Sequence, residues 1–199
     1  MNEDLLNLCL LSAYLAKDDM TKAELTIIKL KNSSIKPRQI YEAILQAYLF
    51  CGFPVVIETL KIFKKHFGNL KINYHKYDLK KYSLSGVLNC KLIYKSNYKK
   101  LISNMSFVSP ELKKWMIIEG YGKVLGRKAL PLNVRELINI SILTSRYFEN
   151  QLYSHIKGCL NLNYNKKQIK DVLNFIKPAA GLHNHKKAIN LLNKITKSV

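Results

Sequence analysis

The sequence predicts an all-α protein made of two helical repeats in one chain, joined by a partly helical insert. Three observations predict it. Apolar residues recur at helical spacing through most of the 199 residues. Proline, glycine and short polar residues fall where helices start and stop. A pattern near the N-terminus also returns after Pro131.

Residues 3–15 form the first predicted helix, apolar on most faces and therefore buried. A second covers 21–30, where Ala23, Ile27 and Leu30 share one face. Ser33-Ser34 then offers a cap, and Pro37 suits a first helical turn. The third helix carries Ile40, Ile44 and Ala47 and ends at Gly52. Pro54 opens a fourth, holding Val56, Leu60, Phe63 and Phe67. From 68 to 108 the chain is rich in Lys, Tyr and Asn; 94–105 reads as helix and 69–85 as an irregular connection. Ser109-Pro110-Glu111 is a helix start. That helix passes Trp115, Ile117 and Ile118 and loses definition over 120–126.

After Pro131 the opening pattern comes back. Asp4-Leu5-Leu6-Asn7-Leu8-Cys9-Leu10-Leu11-Ser12 parallels Glu136-Leu137-Ile138-Asn139-Ile140-Ser141-Ile142-Leu143-Thr144, an offset of 132. Gln39-Ile40-Tyr41-Glu42-Ala43-Ile44-Leu45 parallels Gln168-Ile169-Lys170-Asp171-Val172-Leu173-Asn174, and Gly52 falls opposite Gly181, both at an offset of 129. One gap of three residues reconciles the two offsets. The chain accordingly divides into a first, degenerate repeat at 1–67, a connecting segment at 68–108 and a second repeat at 109–199.

Composition narrows the class. No apolar run approaches the roughly 20 residues of a membrane-spanning helix, and the start Met1-Asn2-Glu3-Asp4 lacks a basic leader. The expectation is a cytoplasmic protein with no membrane partner. Cys9, Cys51, Cys90 and Cys159 are isolated among apolar neighbours and read as buried free thiols, without zinc-like spacing. The formal charge of +20 suggests nucleic acid, but the excess is almost all lysine, scattered through every segment. Only Arg38, Arg127, Arg135 and Arg146 supply the guanidinium groups that usually read bases and phosphates. No specific nucleic-acid partner is expected.

In the second unit, four segments follow in order: Tyr121-Gly122-Lys123-Val124-Leu125-Gly126-Arg127, Arg135-Glu136-Leu137-Ile138, Ser154-His155-Ile156-Lys157-Gly158-Cys159-Leu160 and Gln168-Ile169-Lys170-Asp171-Val172-Leu173. That succession resembles the carboxymuconolactone decarboxylase family, which includes the alkylhydroperoxidase D-like proteins. The first unit resembles the same family without the histidine helix, notably at Cys51-Gly52-Phe53-Pro54. The resemblance implies helices packed as antiparallel pairs, assembly as a trimer-like or hexamer-like homo-oligomer, and no cofactor. In the thiol-dependent branch the family places a CxxC before the histidine; here Phe148 and Gln151 occupy those positions, so no thiolate is available to attack a peroxide.

The decarboxylase branch needs no thiol. By this resemblance His155 is the acid–base group, Glu136 orients it or relays its proton, and Arg127, Arg135 or Arg146 holds the carboxylate of a small lactone-type substrate, giving a lyase. Structural readings stand beside these. Asn133 with Glu136 fits a capping box, and His155, on the apolar face with Leu152 and Cys159, fits a hydrogen-bonded core residue. His183 and His185 start the last helix and read as solvated rather than as metal ligands. Trp115, Tyr121 and Tyr147 read as core or interface. No histidine precedes residue 66, so the chemistry is placed in the second unit and the first is a structural partner. The rival functions are a non-catalytic assembly module of the same fold, an alkylhydroperoxidase-like redox protein and a nucleic-acid binder.

Overall fold

A computed structural model describes residues 1–71 and 76–197. Among these residues every regular element is helical. The helices are α1 (Glu3–Leu15), α2 (Met20–Lys31), α3 (Pro37–Phe67), α4 (Leu79–Tyr94), α5 (Tyr98–Val108), α6 (Pro110–Trp115), α7 (Leu132–Arg146), α8 (Glu149–Asn161), α9 (Lys166–Phe175), α10 (Lys177–Ala180) and α11 (Leu182–Lys197). A 3-10 turn, Lys95–Asn97, joins α4 to α5, and α6 runs on into a π-helical segment, Met116–Val124.

Local chemistry sets most of the ends. The Asn2 carboxamide accepts from the Asp4 amide, Asp19 from Lys22, Asp78 from Lys81 and Ser109 from Leu112. Each satisfies an N–H that a helix start leaves without an intrahelical acceptor. Pro37 does occupy a first helical turn, but the residue before it, Lys36, is the N-cap; Ser33 and Ser34 fold back on the preceding turn and on Asp4 instead. Gly52 interrupts α3 with φ 79° and ψ 173°, in a region closed to side-chain-bearing residues. Pro54 then re-enters helix two residues later.

Two expectations fail in the middle of the chain. Of the stretch 69–85, residues 79–85 belong to α4, because Asp78 caps a helix whose Cys90 and Ile93 are buried; 72–75 lie outside the described residues. The chain also stays helical to Val124 despite Gly120 and Gly122, adopting the wider π turn. Gly86 of α4 and Gly122 of the π segment explain this arrangement. A Cβ on Gly86 would lie 2.0 Å from the Ile117 carbonyl oxygen, and one on Gly122 would lie 2.0 Å from that of Tyr82. The two backbones touch where they cross, and only glycine permits it.

The main core joins α1, α2, α3, α7, α8, α9 and α11 through residues such as Leu8, Leu11, Ile27, Ile44, Leu137, Ile142, Leu152, Leu173 and Leu192. Helices α1 and α7 lie against each other in this core. A second cluster, Cys90, Ile93, Ile117, Tyr121, Val124 and Leu125, fills the crossing of α4 with the π segment. Tyr121 is core and Tyr147, in a left-handed turn at φ 54°, packs against the main core, while Trp115 is 58% exposed.

Candidate active site

Helix α7 is buried on every side from Arg135 to Ser145, and so encloses Arg135, Glu136 and Asn139, all essentially without solvent exposure. Buried polar groups of this kind persist only when hydrogen-bonded. Their partners come from two other helices. From α8, His155 brings Nδ1 to 2.7 Å from Glu136 Oε2. From α3, Gln46 donates to Asn139 Oδ1 at 2.7 Å, and Asn139 donates to Glu136 Oε1 at 2.9 Å. Gly158, one turn beyond His155, makes room: a Cβ there would sit 2.6 Å from Glu136 Oε2.

Glu136 therefore closes no capping box. Helix α7 starts at Leu132, one residue before Asn133, whose carboxamide bonds only to the adjacent Val134 amide, and the glutamate faces inward to the histidine. Around the pair sit Cys90, Tyr94, Tyr121 and Cys159, all pushed up by burial in the first place, with the Glu136 charge adding to it. Cys90 reaches about 12. Cys159 is thus a neutral buried thiol and no nucleophile. The Phe50 ring meets the imidazole edge-on at 6.4 Å.

His155 is 8% exposed, and its Nε2 makes no hydrogen bond within the described residues. Nor does Nε2 belong to the fully buried polar atoms left without a partner there, which are Thr144 Oγ1 and His185 Nδ1. Nε2 therefore keeps some contact with solvent. The arrangement can therefore move a proton at Nε2 while Nδ1 is held by a carboxylate, a geometry suited to general acid–base work.

The three arginines named from the sequence part company here. Arg127 forks onto Glu42 through Nε at 2.7 Å and Nη2 at 2.9 Å. Arg135, wholly buried, donates to Glu42, to Gln46 and to the carbonyls of Leu130 and Arg127. Arg38 adds a third contact to Glu42 at 2.9 Å. Burial works to raise the Glu42 carboxyl, but Arg127 and then Arg135 hold it below the usual range. Arg135 is thus spent on protein acceptors inside the core, while Arg127 turns its Nε–Nη2 edge to Glu42 and keeps a partly exposed side chain. Arg146 differs. It lines a cleft of about 530 Å³ with Lys17, Asp18, Cys51 and Asn184, and its side chain donates to the Phe50 carbonyl at 3.0 Å.

Sequence inspection missed Glu42, Gln46 and Asn139. Their one signal was spacing: 42 and 46 share a helix face, as do 136 and 139. His183 and His185 lie apart from the network, with His185 bonded to Asn174, and no group of three or more metal-binding side chains occurs among the described residues.

The fold and site define an all-helical protein with a buried carboxylate–imidazole pair open to solvent at one nitrogen. No family model matches the chain. The 4-carboxymuconolactone decarboxylase of Acinetobacter baylyi is 22% identical to it over 98 residues, which cover 49% of this chain and 73% of that protein. The likeness supports the resemblance to the carboxymuconolactone decarboxylase family drawn from the sequence, and the chain is a distant relative of that enzyme.

Proposed function

We propose that the chain is an acid–base enzyme of the carboxymuconolactone decarboxylase type, acting on a small carboxylated lactone. The observation that carries this reading is the 2.7 Å His155–Glu136 contact with Nε2 left unpartnered. In the reaction the substrate carboxylate leaves as carbon dioxide and its bonding electrons pass into the conjugated lactone. The protonated Nε2 then supplies a proton to the carbon, and solvent restores it. Arg146 holds the substrate's anionic group. It borders the cleft and is tied to Phe50, whose ring touches His155.

The test is decarboxylation of 4-carboxymuconolactone followed by ultraviolet absorbance. The His155→Gln variant should lose at least about a hundredfold in kcat, in line with removal of a general acid, with its melting temperature nearly unchanged. Absence of turnover by the unaltered protein would remove this substrate. A large fall in stability with unchanged turnover would make His155 a core residue of a non-catalytic module.

We also read the chain as a tandem repeat. Asp18 and Tyr147, 129 residues apart, are both left-handed, at φ 58° and 54°. Gly52 and Gly181, at the same separation, share φ 79° and 81°. Helix α3 starts at Pro37 and α9 at Lys166, again 129 apart. A homo-oligomeric state fits the surface of α4, where Leu84, Leu88 and Leu92 form an exposed stripe at four-residue spacing, 69%, 62% and 55% accessible. Light scattering behind a sizing column should find an oligomer that Leu88→Lys shifts to lower mass. A monomeric unaltered protein would end this reading of the stripe.

A further inference from the structure

We propose that Gln46, on α3, is a positioning residue of the site: it fixes the direction of a buried hydrogen-bond chain that keeps a proton on His155 Nδ1 and leaves Nε2 for exchange. The proposal takes His155 as the proton-transfer group and so rests on the acid–base reading above.

The direction follows from the chemistry of the chain's far end. A guanidinium offers donors only, so the Gln46 atom 3.0 Å from Arg135 Nη1 must be the amide oxygen. A backbone carbonyl offers acceptors only, so the Gln46 atom 2.8 Å from the Arg135 carbonyl must be the amide nitrogen. Both ends of the glutamine are thereby assigned. Its nitrogen also donates to Asn139 at 2.7 Å, which makes that atom Oδ1 and turns Asn139 Nδ2 toward Glu136 Oε1 at 2.9 Å. Glu136 then receives a donor on one oxygen and meets His155 Nδ1 at 2.7 Å with the other, far closer than the 3.4 Å from Asn139 Nδ2 to the same ring nitrogen. An ionised carboxylate only accepts, so Nδ1 carries the hydrogen.

Every member from Arg135 to Glu136 is buried, and no solvent competes for these positions. The other titratable groups that face Glu136, Cys90 and Tyr94 of α4, Tyr121 of the π segment and Cys159 of α8, stay neutral and add no rival charge. Because Gln46 lies on α3, in the first unit, the site is composite. The histidine and glutamate of the second unit depend on the first for their tautomer, so the first unit is more than a structural partner.

Gln46→Glu tests the chain. A glutamate can still accept from Arg135, but it cannot donate to Asn139. Asn139 then turns its nitrogen to residue 46 and its oxygen to Glu136 Oε1, where two acceptors meet unless a hydrogen comes between them; a carboxyl carrying that hydrogen can donate to Nδ1 and leave the ring hydrogen on Nε2. Nitrogen-15 NMR of the histidine-labelled full chain reads the tautomer directly, with the ring in its neutral form. The unaltered protein should show Nδ1–H alone, and Gln46→Glu should show a mixture with Nε2–H. In the lactone assay the same variant should lose about tenfold to a hundredfold in kcat, the scale of a misplaced catalytic group, with KM retained.

A neutral ring carrying its hydrogen on Nε2 in the unaltered protein overturns the proposal, as does a folded Gln46→Glu that keeps Nδ1–H alone. If that variant does not fold, Asn139→Leu cuts the same chain from its other end and is read in the same way. If neither folds, the spectrum of the unaltered protein decides: Nδ1–H sustains the chain and Nε2–H overturns it. The tautomer is measured without substrate. A confirmed chain in a protein without turnover would therefore sink the enzymatic reading alone.

Discussion

Replacing Glu42 with alanine should destabilise the protein by about 3–5 kcal/mol, the cost of breaking a buried ion pair from one side. Glu42 is fully buried and receives Arg38, Arg127 and Arg135. Without it, Arg135 remains in the core as an uncompensated cation. For a chain of this length the loss corresponds to about 6–20 °C in melting temperature, measurable by circular dichroism. The effect has a pH signature. The Glu42 carboxyl titrates lower in the folded chain than in the unfolded one. Its stabilisation is therefore complete above the ordinary carboxylate range and fades as pH falls through the folded value. The gap between the unaltered protein and Glu42→Gln should accordingly narrow on acidification below pH ~4. A difference that grows instead would mean the arginines do not hold this carboxylate ionised.

Gly122→Ala should cost at least the upper part of the ~1–3 kcal/mol typical of an overpacked core. The added methyl would lie 2.0 Å from the Tyr82 carbonyl oxygen and 2.7 Å from its carbon. These are backbone atoms of a packed helix and cannot swing aside, so α4 and the π segment must separate. The cluster of Cys90, Ile93, Ile117 and Tyr121 between them would open. Gly120 supplies the control, since a Cβ there meets nothing within 4 Å. Gly120→Ala should be neutral or stabilising by up to ~1 kcal/mol, because alanine restricts the unfolded chain. Equal melting temperatures for the two variants would contradict the close crossing.

Helix starts were the most legible part of the sequence because one residue decides them. Pro37 and Ser109-Pro110 stand where the chain enters helix, and Gly52 where it breaks. Glu136 and His155 were also legible, through the family resemblance rather than through any periodicity. The rest of the site was hidden for a physical reason. Gln46 and Asn139 are helical amides, and an amide facing a partner looks the same in sequence as one facing water. The arginines were legible as charges alone. Their charge was visible, but whether a buried carboxylate already used it was not. Glu42 decides that from 85 residues away in the chain for Arg127. The continuation of helix to Val124 was lost because glycine propensity argues against it, and only the crossing with α4 reveals why the glycines are there.

The left-handed break at Gly52 has one more consequence. By length and apolarity α3 passes for a membrane span, yet the break leaves 15 helical residues on each side, Pro37 to Cys51 and Phe53 to Phe67. At 1.5 Å per residue each arm is about 22 Å long, short of the roughly 30 Å of hydrocarbon in a bilayer. A hydropathy scan would flag an anchor here, while the folded chain presents two short arms, with Ile40 and Ile44 of one and Val56 and Phe63 of the other turned into the protein's own interior.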